Sequence, residues 1–201
     1  SKDLPYERIE TLNKMQEMRT GVVITTIEAV LQKMINKKAL YKNTLNFKVG
    51  DSENLETIKQ KLVELGYVRC DLIEGRGQFS VRGGIVDISV NEKEGVRLEF
   101  WGDEIDSIRY FNVVSQRSTE NIDKITIYPA HEYILESNIE DVITNIRNTI
   151  YSEKLQETIE QDIELIKTGN YISKIDGYLN SFYTEQDTIL DYITDKYLIF
   201  L

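Results

Sequence analysis

The spacing of apolar and polar positions changes twice along the chain and divides it into three stretches, 1–66, 67–135 and 136–201. In the first, GVVITT (21–26) is a short continuous apolar run of the kind that makes a buried strand. IEAVLQKMI (27–35) follows with helical spacing, and TLNFKV (44–49) predicts a second strand. Leu55, Ile58, Leu62 and Leu65 then share one face of a helix. Asp51 or Ser52 is placed to cap that helix, and Gly66 stands where a C-terminal glycine belongs. In the last stretch Ser137 or Asn138 caps a long helix with Ile139, Val142, Ile146 and Ile150 on one side. Ile159, Ile163 and Ile166 continue it to Gly169; EQDTILDYI (185–193) predicts a short helix and KYLIFL (196–201) a strand.

The middle stretch alternates with a period of two. YVRCDLIE, QFSVRGGIVDISV, VRLEFW, EIDSIRYFNVV and KITIYPA, separated by glycine-rich or charged turns, predict a strand meander. The expected fold class is α/β: an antiparallel β-rich module inserted between two parts of an incomplete parallel α/β domain. The chain starts on Ser1 and stops on an apolar strand-like run, so it is expected to be a piece of a longer protein.

The segment GRGQFSVRGG (75–84) is the most unusual in the chain, with four glycines and two arginines. It is not a Walker A loop, for no G-x-x-x-x-G-K-[ST] string occurs in the sequence. It is not a dinucleotide fingerprint either: Ser80 stands where the third glycine is needed, and the residues beyond alternate like a strand. A disordered Gly/Arg segment would be repeated and poor in apolar residues, unlike FSV and IVDI here. A hairpin turning at Gly75-Arg76, with Gly77 beside it, places Leu72 opposite Phe79 and Cys70 opposite Val81. The other face then sets Arg69 directly across from Arg82, an unfavourable pair unless something acidic docks there or Asp71 or Glu99 neutralises it. A bulge at Gly83-Gly84 would reset the phase, so that Val90, Ile88 and Val86 face Val96, Leu98 and Phe100. WGDE (101–104) predicts the next hairpin turn, around Gly102.

Charge narrows the function. The net charge is −10, which argues against general nucleic-acid binding and leaves any anion-seeking surface to a local arginine cluster. No run of eighteen apolar residues is present, the charged opening SKDLPYERIE leads to the expectation of no signal peptide, and one cysteine suits a reducing, cytoplasmic setting. Cys70 and His131, far apart in sequence, make no metal site of usual spacing, and both are expected to be structural. Asp103 and Glu104 lie at a turn without a partner histidine, so no catalytic residue is assigned. Lys33, Lys37 and Lys38 are expected near a helix end, favourably placed against its dipole.

YVRCDLIEGRGQFSVRGGIVDI, VRLEFWGDEIDSIRYFNVVSQRS and PAHEY together closely resemble the N-terminal UvrB-like region of the bacterial transcription-repair coupling factors, the Mfd family. The β segment is similar to domain 2 of UvrB, whose R-G-x-F-x-V-R-G string precedes E-F-F-G-D-E-I. The resemblance implies that 67–135 is a UvrA-binding module and that 1–66 and 136–201 correspond to flanking parts called 1a and 1b. It implies recruitment of UvrA in transcription-coupled nucleotide excision repair, with no cofactor in this piece. RNA polymerase, DNA and ATP would be matters for the full-length protein and its translocase motor. Carried over by position, Arg69 and Arg82 match arginines of the UvrA-docking surface, and Arg76 a further one. Ser80 stands where UvrB has another arginine, and Ser89 where the family often has an aromatic residue. A DNA-binding module and a fragment of UvrB itself are the alternatives, and in the full protein another domain is free to mask the arginines.

Overall fold

The computed structural model describes residues 4–18, 20–132, 134, 138–149, 153–167 and 175–193. Its elements run α1 (Leu4–Glu17), α2 (Ile27–Leu31), α3 (Lys37–Lys42), β1 (Leu45–Lys48), α4 (Leu55–Glu64), β2 (Val68–Arg69), β3 (Gln78–Arg82) and β4 (Ile85–Ser89). There follow β5 (Glu94–Trp101), β6 (Glu104–Asn112), β7 (Ser118–Ile122), β8 (Lys124–Ile127), α5 (Ile139–Asn148), α6 (Glu153–Lys167), α7 (Leu179–Phe182) and α8 (Ile189–Tyr192). The chain divides into two units: Pro5–Glu10 with Tyr41–His131, and the remainder.

The first unit is built on a six-stranded sheet in the order β2-β3-β4-β5-β6-β7, beside a two-stranded ribbon of β1 and β8. Every pairing is antiparallel except β2–β3. One face of the sheet carries Phe79, Val86, Ile88, Val96, Leu98 and Ile108, all buried against Ile58, Leu62 and Leu65 of the α4 region and Phe47 of β1. The helical face read from sequence is therefore the packed one. Because β1 and α4 share this core, packing joins them to the β module across the sequence boundary at residue 66.

The cap of α4 is Asn54 rather than Asp51 or Ser52: its side-chain oxygen accepts from the Glu56 and Thr57 amides at 2.9 and 3.1 Å. Asp51 instead accepts from the Lys48 amide in the turn after β1. At the other end Gly66 has φ +84°, and a Cβ there would lie 2.1 Å from Nε2 of the buried His131.

Two register expectations are corrected. Gly83-Gly84 is a two-residue hairpin turn, with Arg82 opposite Ile85 and Gly83 at φ +58°, and not a bulge. Such a turn sets odd-numbered residues against even-numbered ones, so it resets the phase without an extra residue. Beyond it Ile88 faces Val96 and Val86 faces Leu98, displaced by two from the expected register. A slip of two keeps every side chain on its face, which is why the apolar pattern did not distinguish them. The WGDE turn forms as expected, with Trp101 opposite Glu104 and Gly102 at φ +64°.

In the second unit, GVVITT makes no strand: 21–26 is outside any helix or strand, with Val22 and Ile24 85% and 93% exposed. The helix expected over 27–35 stops at Leu31, and Met34 instead bridges Asp187. Asp187 also accepts from the Lys37 amide at 2.7 Å, so Lys37 and Lys38 open α3 rather than close a helix, contrary to the dipole expectation. The long helix after Asn138 is two helices, α5 and α6. Asn138 caps α5 through the Glu140 amide, and Val142, Ile143, Ile146, Ile163 and Ile166 are buried. The helix expected over 185–193 contracts to α8, whose Tyr192 hydroxyl donates to the Ile35 carbonyl at 2.8 Å. Ile150, Gly169 and the strand expected at 196–201 lie outside the described residues.

Candidate functional site

The hairpin expected to turn at Gly75-Arg76 is absent. β2 pairs parallel with β3, Val68 against Gln78 and Arg69 against Phe79. Parallel neighbours ordinarily need a crossover of about a dozen residues. Here β2 is two residues long, and residues 70–77 suffice to return the chain. That return loop is pinned: Gln78 Oε1 accepts from the Glu74 and Gly75 amides, and the Ser80 hydroxyl donates to the Asp71 carbonyl at 2.9 Å. Gly77 takes φ +67° as the loop enters β3. Ile73 and Cys70 fold onto Phe111 and Val113, capping one end of the sheet face opposite the main core. Burial pushes the Cys70 thiol pKa above its ordinary value, with Asp71 and Glu74 adding to the shift.

This topology separates the two arginines that the hairpin would have paired. Arg69 is paired with Phe79 and lies at the exposed edge of the sheet, toward α4. There it helps to lower the Glu56 carboxyl pKa, an effect owed first to the hydrogen bond from Lys59. Arg82, paired by alternation with the other face, stands at the β3–β4 turn. Arg76 is largely buried, its guanidinium near Glu7 and Glu10 of α1 at 3.8 and 3.7 Å. Ser80 and Ser89 are buried, and both hydroxyls are engaged with main chain: Ser80 donates to Asp71, and Ser89 accepts from the Gln78 amide at 3.0 Å.

The second face of the sheet carries a polar ladder that the sequence reading missed. Ser80, Asp87, Arg97, Arg109 and Asn121 are successive cross-strand partners over β3 to β7. Asp87 is 2% exposed and receives Arg97 through Nε and a terminal nitrogen at 2.7 and 2.9 Å, together with a terminal nitrogen of Arg82 at 2.7 Å. The Asp87 carboxylate accordingly raises the Arg97 pKa above its usual value. Arg97 also lies over the Phe111 ring, 5.0 Å from its centroid. In the next row Glu99 accepts from Arg109 and from the Ser107 hydroxyl. The neutralising partner of Arg82 is thus Asp87, not Asp71 or Glu99. Each missed residue sits between two core residues, Asp87 between Val86 and Ile88 and Arg97 between Val96 and Leu98, so alternation from the correct turn would have placed them on one face.

Chemically the face is a set of anchored guanidinium groups. Arg82 spends a terminal nitrogen on Asp87 while its side chain stays 47% exposed, which leaves N–H donors directed outward. His131 is buried beside Gly66, away from this face, and Asp103 and Glu104 are exposed at the β5–β6 turn. Among the described residues no cluster of His, Cys, Asp and Glu is arranged to hold a metal, and no helix is long and apolar enough to cross a membrane.

A six-stranded sheet with one packed face and one arginine-bearing face has the architecture of an interaction module. Comparison with known families agrees: residues 45–133 match the UvrB interaction domain. Over its whole length the chain is similar to transcription-repair-coupling factors, which confirms the resemblance read from its motifs. It is 29% identical to the transcription-repair-coupling factor of Bacillus subtilis (strain 168), with 100% of this chain and 18% of that protein covered. The Staphylococcus aureus (strain MRSA252) protein of the same name is 31% identical, over 99% of this chain and 18% of its own length. UvrABC system protein B of Thermotoga maritima is 27% identical, over 96% of this chain and 32% of that protein. The chain therefore spans less than a fifth of the coupling factors it matches.

Proposed function

We propose that this chain is the UvrA-docking region of a transcription-repair coupling factor, which recruits UvrA to transcription complexes stalled at DNA damage. The domain class and the full-length likeness to coupling factors support the reading. The observation that carries it is Arg82, fixed by a buried carboxylate and half open to solvent. A guanidinium already oriented loses little freedom when a partner carboxylate arrives, and charge-assisted bonds are among the stronger polar contacts. Arg69 offers a second cation at the sheet edge. Arg76, Ser80 and Ser89 contribute from beneath, by holding the return loop and the β3 edge in shape. Engagement of RNA polymerase and DNA, and ATP-driven translocation, belong in this proposal to the remainder of the full-length protein, within the cytoplasm.

The test is calorimetric titration of the chain with purified UvrA from the same organism. R69A/R82A should weaken binding tenfold or more, about 1–2 kcal/mol per arginine at a partly exposed interface. The fold should survive, since Arg97 still holds Asp87. Unchanged affinity of the double variant, or no binding by the wild type, refutes the reading. A duplex-DNA affinity that falls steeply with salt would favour the DNA-binding alternative, which the net charge of −10 disfavours.

A further inference from the structure

Trp101 is the only tryptophan in the chain, and its side chain is 85% exposed. It does not lie in a loose loop. It pairs with Glu104 across the β5–β6 turn, and the Glu53 amide donates to the Asp103 carbonyl at 2.8 Å. The Gly50 amide donates to Ile105, the Ile105 amide to Asp51, and the Phe100 amide to Gly84 at 2.7 Å. Alternation along β5 places Trp101 on the face of Arg97 and Glu99, one row beyond Arg82. Between it and Arg82 lie the Gly83-Gly84 turn, which has no side chains to cover the indole, and Ile85, the cross-strand partner of both Arg82 and Glu99. Nothing in the fold requires a tryptophan there: Phe100 beside it fills the core, and the turn needs only Gly102 at φ +64°.

We infer that Trp101 is the aromatic anchor of the docking face that carries Arg82, inserting into an apolar pocket of the partner protein bounded by the carboxylates that meet Arg82. The inference rests on the UvrA reading and deepens it. Tryptophan and arginine are the residue types that dominate interface energetics, and a rigid indole with two rotatable bonds loses little entropy when it is buried. Asp103 and Glu104 place negative charge on the far side of the indole, so the pocket should carry a basic rim opposite the turn.

The test uses the single tryptophan as its own reporter. The chain is labelled with 5-fluorotryptophan and titrated with unlabelled UvrA, while calorimetry follows wild type, W101F and W101A. Burial at the interface should shift the fluorine resonance, and W101A should bind about 30-fold or more weakly, with W101F between. An unmoved resonance, or W101A binding like wild type while R69A/R82A is impaired, overturns the anchor and leaves the docking reading standing. Absence of binding by the wild type itself removes both.

Discussion

Replacing Asp87 by alanine tests the polar ladder most directly. Asp87 is 2% exposed and receives three N–H···O bonds of 2.7 to 2.9 Å, two from Arg97 and one from Arg82. Its removal strands Arg97, whose side chain is 15% exposed and which is held between Phe111 and the strand surface. Breaking a buried pair by deleting one partner costs about 3–5 kcal/mol, because the survivor keeps a charge without compensation. Partial solvent access for Arg97 and the freedom of Arg82 to turn into water lower this to roughly 2–3 kcal/mol. R82A should cost less than about 1 kcal/mol, since that guanidinium is half exposed. In D87A/R97M the stranded charge is gone and the stem still packs, so much of the loss should return. Urea unfolding monitored by far-UV circular dichroism reads D87A, R82A, R97A and D87A/R97M, with D87A lowering the midpoint and leaving the slope unchanged. Equal stability of D87A and wild type would refute the ladder as a structural element. Equal costs for R82A and R97A would refute the division of labour, in which Arg97 secures the carboxylate and Arg82 stays half open to solvent.

Two further variants probe the supports of the sheet. Gly66→Ala must adopt φ +84° with its Cβ 2.1 Å from the His131 ring, so it should lose at least about 1–2 kcal/mol, measured as a lower melting temperature; a melt like that of wild type would mean that helix α4 does not end against His131. The Cys70 thiol, with its pKa raised by burial, should react with a disulfide reagent at pH 8 more slowly than free cysteine. The same shift makes its stability contribution complete below the unfolded-state pKa of about 8.5 and lost as pH rises past it, because only the unfolded thiol then ionises freely. A Cys70→Ser chain whose stability between pH 8 and 10 follows the wild type would refute that linkage.

Local patterns were legible in the amino-acid order because they depend on a few neighbouring residues. The apolar face of α4, its end at Gly66, the WGDE turn and the alternation of β3 to β6 all follow from residue spacing and from glycine's access to positive φ. The motif strings likewise identified the UvrB-like module, which is a property of the string itself. Direction and register were not legible. A strand of two residues fits parallel or antiparallel pairing with the same alternation, and the choice was made by Ile73 and Cys70 closing over Phe111, contacts between distant segments. GVVITT has the composition of a buried strand, yet burial needs a partner surface, and the described residues supply none. The candidate site shows the same division. Arg69 and Arg82 could be picked out by type and motif, but which guanidinium would be anchored, and by what, depended on a carboxylate one strand away. Asp87 became the centre of that site only when β4 settled between β3 and β5 and took the carboxylate out of water.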